Sequence, residues 1–191
     1  TIAENIFTAF AVMIVLIIKT TIIMANIGLF YGTTTGNAKE VAQLIQKEFG
    51  ADAVFIKDIS GVKAADVEGF DYLIFGASTT GEGDLQYDFE DFLPEIPKLN
   101  LKGKKVAIFG LGDQDSYSDS FADAAGLIYE ALQPTGATFV GQQSTDGYEY
   151  DESKAEVGGQ FVGLIIDEEN QGDLTSKRVK DWVEKLKAEF V

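Results

Sequence analysis

A chain of 191 residues with 46% apolar content can bury one good core and is short for two, so one domain is expected. Cysteine and histidine are both absent, which excludes disulfides, thiol nucleophiles, the usual zinc sites, Ser-His-Asp machinery and imidazole acid/base chemistry; redox or catalytic work would need a borrowed cofactor. Fifteen basic against thirty-one acidic residues give a formal charge of −16, which argues against a nucleic-acid partner and leaves a basic protein partner or simple solubility as the meaning of the acidity.

Residues 1–23 differ from the rest. Ala9 to Ile18, AFAVMIVLII, is apolar throughout. A membrane span needs roughly 20 apolar residues, a length reached only by counting Thr8, Lys19, Thr20 and Thr21. A secretory signal should carry a positive start, yet Glu4 is the only charge before the run. Met24-Ala25 directly precedes the first strand, where an ordinary start codon would stand. The expectation is a hydrophobic extension outside the fold at 1–23, with a domain at 24–191; a membrane anchor and a helix packed on the domain are the alternatives.

Ile27, Leu29, Phe30 and Tyr31 form a short apolar run suited to a fully buried strand, and Gly32, Thr33, Thr34, Thr35 and Gly36 begin a turn at once. A helix then opens at Asn37, with Val41, Leu44, Ile45 and Phe49 on one face. A loop between a strand end and a helix N-terminus favours an anion, and three hydroxyls add donors without charge. No Gly-Lys-Ser/Thr ending is present, so a triphosphate cradle is excluded and one phosphate suits the loop better; a ligand-free turn is the alternative.

Ala53 to Ile56 reads as a second strand, Tyr72 to Ala77 as a third, Val106 to Phe109 as a fourth and Ala137 to Val140 as a short fifth. Helical patterns lie between: Phe89, Phe92, Leu93 and Ile96, then Phe121, Ala125, Ile128, Tyr129 and Leu132. A final helix is expected over Thr175 to Phe190. Alternating strands and helices imply α/β architecture with a parallel sheet and right-handed crossovers, where ligands sit outside the carboxyl ends of the strands at the topological switch point. The loops to watch follow strands one, three and four. The second of them is Ser78-Thr79-Thr80-Gly81-Glu82-Gly83-Asp84, and the third is Gly110-Leu111-Gly112-Asp113-Gln114-Asp115-Ser116-Tyr117. Each could be a plain turn; together they make a pocket with a phosphate end and a stacking end.

These residues resemble the flavodoxin family, in its long-chain branch. The resemblance is carried by AxIGLFYGTTTGN from Ala25, STTGEGDLQ from Ser78, FGLGDQDSY from Phe109, and STDGYEY with the later GQFVGLIIDEENQ. It covers roughly seven-eighths of the chain, in order, and leaves out residues 1–23. It implies a flavodoxin-like doubly wound five-stranded parallel sheet, order 2-1-3-4-5, with an insertion from about Gln142 that splits strand five, so that Phe161 to Ile166 completes it. It implies non-covalent FMN. Its phosphate would take Thr33, Thr34, Thr35, Gly36, Asn37 and Ala38, with Thr79 closing over it beside Ser78. Gly112 and Asp113, flanked by Leu111 and Gln114, would address the pyrimidine edge, and Tyr117 would stack on one face. The Gly81-Glu82 peptide, followed by Gly83, would turn its carbonyl toward N5 on reduction; glycine lowers the strain of the turned peptide.

Two positions depart from the family. Position 38 commonly bears a hydroxyl and is Ala38 here, a loss of about 1 kcal/mol in phosphate binding. Position 80 is often a tryptophan on the second flavin face and is Thr80 here. That leaves a smaller neighbour such as Leu85 and removes roughly 0.5–1.5 kcal/mol of stacking. The implied function is a low-potential one-electron carrier cycling between semiquinone and hydroquinone, not an enzyme. Glu82, Asp84, Asp88, Asp113, Asp115 and Asp119 would disfavour the second electron. The expected partners are basic docking faces of redox proteins such as ferredoxin/flavodoxin-NADP reductase and low-potential acceptors, met by a cytoplasmic monomer. The alternatives are an FMN-dependent NAD(P)H:quinone reductase, a domain detached from a diflavin reductase, and a flavin-free interaction module.

Overall fold

The computed structural model describes residues 26–190. The expectation for residues 1–23 lies outside the described residues. Along the chain run β1 (Ile27–Gly32), α1 (Asn37–Phe49), β2 (Val54–Asp58), α2 (Ala64–Val67), β3 (Tyr72–Thr80), β4 (Asp84–Leu85) and α3 (Tyr87–Phe92). They are followed by β5 (Lys105–Leu111), α4 (Asp123–Leu132), β6 (Thr138–Phe139), β7 (Gln143–Ser144), β8 (Glu156–Val157), β9 (Gln160–Phe161), β10 (Leu164–Ile166) and α5 (Glu168–Glu189).

The main sheet has the order β2-β1-β3-β5, with both β6 and β10 on the outer side of β5. Every pairing on that path is parallel: Ile27 stands beside Val54 on one side and Tyr72 on the other, and Tyr72 beside Lys105. β6 pairs with Lys105 and Val106, whereas β10 pairs with Phe109 to Leu111, so one strand position is filled by two segments separated in sequence. This is the 2-1-3-4-5 order, with the split fifth strand, that the motifs implied. β1 is buried along its whole length because it lies inside the sheet and both its faces are covered. Its side chains alternate accordingly. Ile27, Leu29 and Tyr31 join Val41, Ile45, Trp182 and Val183 beneath α1 and α5, while Phe30 joins Phe75, Phe89, Phe92 and Ile128 beneath α3 and α4.

The structure corrects several boundaries. Phe161 does not complete strand five; it belongs to β9, in an antiparallel ribbon of order β7-β9-β8 inside the insertion, opposite Gln143 and Glu156. Only Leu164–Ile166 rejoins the sheet. The phenylalanine is apolar because it plugs a ring cluster with Phe121, Tyr148 and Tyr150, not because it lies in the sheet. The β2–β3 crossover holds the four-residue α2. The third link is α3 for six residues and then a 3-10 segment, Leu93–Lys98, whose Pro94 and Pro97 supply no backbone N–H for an α-helical ladder. The last helix starts at Glu168 instead of Thr175: the Asp167 side chain caps it by accepting from Asn170 N at 3.0 Å, and a kink at Gln171 (φ −136°) separates this polar first turn from the amphipathic body. A turn with no apolar face leaves no periodicity to read.

Candidate functional site

At the carboxyl ends of β1, β3 and β5 the loops converge on a cavity of about 280 Å³. Its lining combines Thr35 and Asn37, Ser78, Thr79 and Gly81, and Leu111, Gly112, Asp113 and Tyr117 with Ser120, Glu168 and Glu169. A parallel sheet has its switch point where crossovers depart to opposite faces, here between β1 and β3, and that is where the cavity opens.

The first loop ends in Gly36, at φ 106°, ψ −18°, a left-handed conformation that leads into α1 without a side-chain cap. The first N–H groups of an uncapped α-helix have no intrahelical acceptor, and they carry the positive end of its dipole. Thr33 Oγ1 accepts from Gly36 N at 3.1 Å, so this hydroxyl is occupied in shaping the turn. Ala38 is fully buried in the apolar cluster under α1, so its methyl belongs to the core. Thr34 and Thr80 are not brought to the cavity. They line a second, more open groove with Asp84, Leu85, Tyr87, Glu90, Leu127 and Glu130. Thr80 is turned into the β3–β4 hairpin, where its hydroxyl donates to the carbonyls of Asp84 and Leu85, both at 3.3 Å.

The second loop is a tight hairpin in which Gly81 (φ 55°) and Gly83 (φ 106°) both take positive φ. Gly81 lines the cavity; Glu82 and Gly83 are not among its lining residues. Thr79 Oγ1 accepts from Ala124 N at 3.1 Å, which ties this loop to the start of α4.

The third loop is organised by the Asp113 carboxylate, whose Oδ1 accepts from Asp115 N at 3.1 Å and Ser116 N at 2.9 Å. Asn170 Nδ2, from the first turn of α5, donates to the same oxygen at 2.9 Å. Partial burial works to raise the Asp113 pKa, but the hydrogen bonds from Ser116, Asn170 and Asp115 together hold it below the ordinary carboxylate value. Tyr117 is 47% exposed and offers a ring face at the mouth. Gln114 does not reach the cavity: it is buried, its side-chain oxygen accepts from Glu149 N at 2.9 Å and its backbone N–H donates to Asp167. The insertion buttresses this loop from behind. Asp151 N and Glu152 N both donate to the Ser118 carbonyl, at 2.8 and 2.9 Å, and Tyr150 stacks on Phe121.

Three lining residues escaped the motif reading: Ser120, Glu168 and Glu169. The two glutamates follow β10 directly, at the carboxyl end of the same sheet, so the strand-end rule applied to strand five would have found them. Ser120 had no signal beyond its place after Tyr117. The cavity lining contains three carboxylates and no lysine or arginine, and the neighbouring groove is likewise acidic. No helix among the described residues is long and apolar enough to cross a membrane.

The flavodoxin family model matches residues 29–182. A flavodoxin of Synechococcus elongatus is 48% identical over 168 residues, 87% of this chain and 99% of its own length. A flavodoxin of a Nostoc species is 48% identical over 165 residues, 86% of this chain and 97% of its own. Among solved structures, the Fusobacterium nucleatum flavodoxin bound to flavin mononucleotide aligns with a TM-score of 0.82 at 33% identity, covering 86% of this chain and 98% of that one.

Proposed function

This chain belongs to the flavodoxin family, and from that premise we propose a role for each part of the cavity in holding FMN for electron transfer between proteins. Flavodoxins are electron-transfer proteins, so no substrate is turned over. FMN, when bound, supplies one-electron redox chemistry that a chain without cysteine or histidine does not supply from its own side chains.

The residues present fit that cofactor. The uncapped start of α1, with Thr35 and Asn37 on the cavity side, suits a phosphate without a cationic side chain. A ring face at Tyr117 and an ionised acceptor at Asp113 suit a planar heterocycle with an N–H edge. Ser120, a cavity residue whose buried Oγ has no partner among the described residues, supplies a polar group that an occupant can satisfy. The convergence of three strand-end loops on one cavity with these two unlike ends is the observation that carries the reading. Within it, Thr35, Gly36, Asn37 and Ala38 N–H take the phosphate, Ser78, Thr79 and Gly81 close one side, and Leu111, Gly112, Asp113 and Tyr117 hold the ring.

Redox proteins are the partners. The acidic rim suits basic docking faces such as that of a ferredoxin/flavodoxin-NADP reductase, and its field raises encounter rates that fall as salt rises. The same absence of cations from the lining disfavours a nicotinamide nucleotide as a bound substrate. We take residues 24–191 as the functional unit, acting as a monomer.

The test is anaerobic photoreduction of residues 24–191 mixed with FMN, followed in the visible. The expected result is a long-wavelength band of one-electron-reduced flavin at half reduction. Passage straight to the two-electron-reduced form, or NAD(P)H consumption with a quinone and no reductase, would overturn the carrier in favour of a quinone reductase. Failure to retain FMN would overturn the cofactor assignment itself.

A further inference from the structure

We infer that the Ser120 hydroxyl is a direct hydrogen-bonding contact to the ring of the bound flavin, an assignment that rests on the FMN reading above. Ser120 is 6% exposed, lines the cavity, and its Oγ has no hydrogen-bond partner among the described residues. A buried hydroxyl without a partner destabilises the fold that contains it, so its persistence calls for a partner that arrives from outside the chain.

The hydroxyl forms no hydrogen bond among the described residues, and its neighbours are engaged with one another. Ser120 N donates to the Tyr117 carbonyl at 3.2 Å and its own carbonyl accepts from Asp123 N at 3.2 Å, so the backbone on both sides is engaged. The Asp123 carboxylate is engaged by Lys154, whose N donates to Oδ1 at 2.7 Å and whose Nζ pairs with Oδ2. The hairpin carrying Gly81 presses on the serine directly, because a Cβ placed on Gly83 would lie 3.0 Å from Ser120 Cβ and 2.9 Å from Asp123 Oδ2. Ser120 thus packs against the loop after β3 near the start of α4, among the residues that line the cavity.

Position selects the ring over the phosphate. Ser120 is one turn from Tyr117, the aromatic face, and lies in the loop that Asp113 organises, not in the threonine loop before α1. The cavity's charged groups, Asp113, Glu168 and Glu169, are acceptors when ionised. The Thr79 hydroxyl already accepts from Ala124 N. Ser120 therefore contributes an O–H donor, matched to a carbonyl or imine nitrogen of a planar heterocycle.

The test uses the full chain with Ser120→Ala and Ser120→Thr. FMN and riboflavin are each titrated by flavin fluorescence, and thermal melting is followed without flavin. Ser120→Ala should weaken both ligands about three- to ten-fold, the value of one neutral hydrogen bond, while Ser120→Thr keeps the wild-type affinity for both. Without flavin, Ser120→Ala should melt at the wild-type temperature or above it, because an unpaired hydroxyl has been removed. Unchanged affinity in Ser120→Ala, or a fall in its flavin-free melting temperature, overturns the assignment as a merely structural serine would. A loss for FMN with none for riboflavin overturns the ring contact in favour of the phosphate end. If the wild-type chain binds neither ligand, the FMN reading fails, and the serine assignment with it.

Discussion

Asn170 joins three parts of the molecule that are far apart in sequence, and its removal gives a prediction that can be sized. Its Nδ2 donates to Asp113 Oδ1 at 2.9 Å and to the two oxygens of Asp167 at 3.1 and 3.0 Å. Asp167 is 0% exposed, and its other donors are the backbone N–H groups of Gln114 and Asn170, at 3.1 and 3.0 Å. Asn170→Ala keeps both backbone bonds and deletes the amide. A hydrogen bond to a charged group is worth about 1.5–3 kcal/mol, and with two donors retained the low end applies, about 1.5–2 kcal/mol. For a domain of this size that corresponds to a fall of about 3–8 °C in melting temperature. The exposed link to Asp113 adds little stability, but its loss should let the Asp113 pKa rise toward the ordinary value. A carboxylate whose folded pKa is depressed contributes stability above its unfolded pKa and loses it as pH falls through the folded one. The Asp113 share of the acid loss should therefore start at the same pH in both proteins, at the unfolded value, but be smaller in the variant and finish at higher pH. Asn170→Asp would set a carboxylate among Asp113, Asp167, Glu168 and Glu169; it should be less stable than Asn170→Ala at neutral pH and recover as pH falls. Urea unfolding from pH 3 to pH 8, with carboxyl NMR of Asp113, measures all of this. An Asn170→Ala variant within about 0.5 kcal/mol of wild type, with an unmoved Asp113 titration, would refute the reasoning.

Two further outcomes follow from single positions. In Gly112→Ala the new Cβ would lie 2.5 Å from Ala122 N and 2.9 Å from Phe121 Cδ2; backbone cannot yield cheaply, so urea denaturation should show a loss of about 1–3 kcal/mol together with weaker FMN retention. Burial pushes the Tyr148 hydroxyl up to about 12, with Asp167 adding to the shift and Arg178 opposing it. A raised folded pKa gives stability that is complete below the unfolded value of about 10 and lost as pH climbs from there toward about 12. Wild type should thus shed about 2 kcal/mol more than Tyr148→Phe over that alkaline interval, measured by denaturant midpoints at each pH.

What could be read along the chain was whatever leaves a local periodic or turn signature. The continuous apolar runs at β1, β3 and β5 mark strands covered on both faces, and Val41, Ile45 and Phe49 mark the buried stripe of α1. With these came the parallel sheet and the loops that meet at the cavity, while the strand order was implied by the resemblance to the flavodoxins. The residues whose side chains could not be placed from the sequence are those whose setting is made by distant chain. Thr80 and Thr34 sit in loops next to cavity residues but face another groove, because the β3–β4 hairpin holds the Thr80 hydroxyl on its own carbonyls and the buried Gln86 reaches Thr34 Oγ1 at 3.4 Å. Gln114 lies beside Asp113 yet serves the insertion, through Glu149 N. Phe161 reads as part of the fifth strand of the sheet but belongs to β9, where it plugs the rings of Phe121 and Tyr148.

The sequence by itself determined the α/β class, the absence of thiol and imidazole chemistry, the acidic character and the three loops that carry the site, because composition and periodicity are properties of neighbouring residues. Only the tertiary structure decided which side chains of those loops enter the cavity, that Glu168 and Glu169 join it from the end of β10, and that Ser120 is buried there without a partner. The physical reason is that hydrogen-bond saturation and burial are settled between segments 30 to 60 residues apart, as in Asn170 with Asp113 and Thr79 with Ala124, and no local pattern records them.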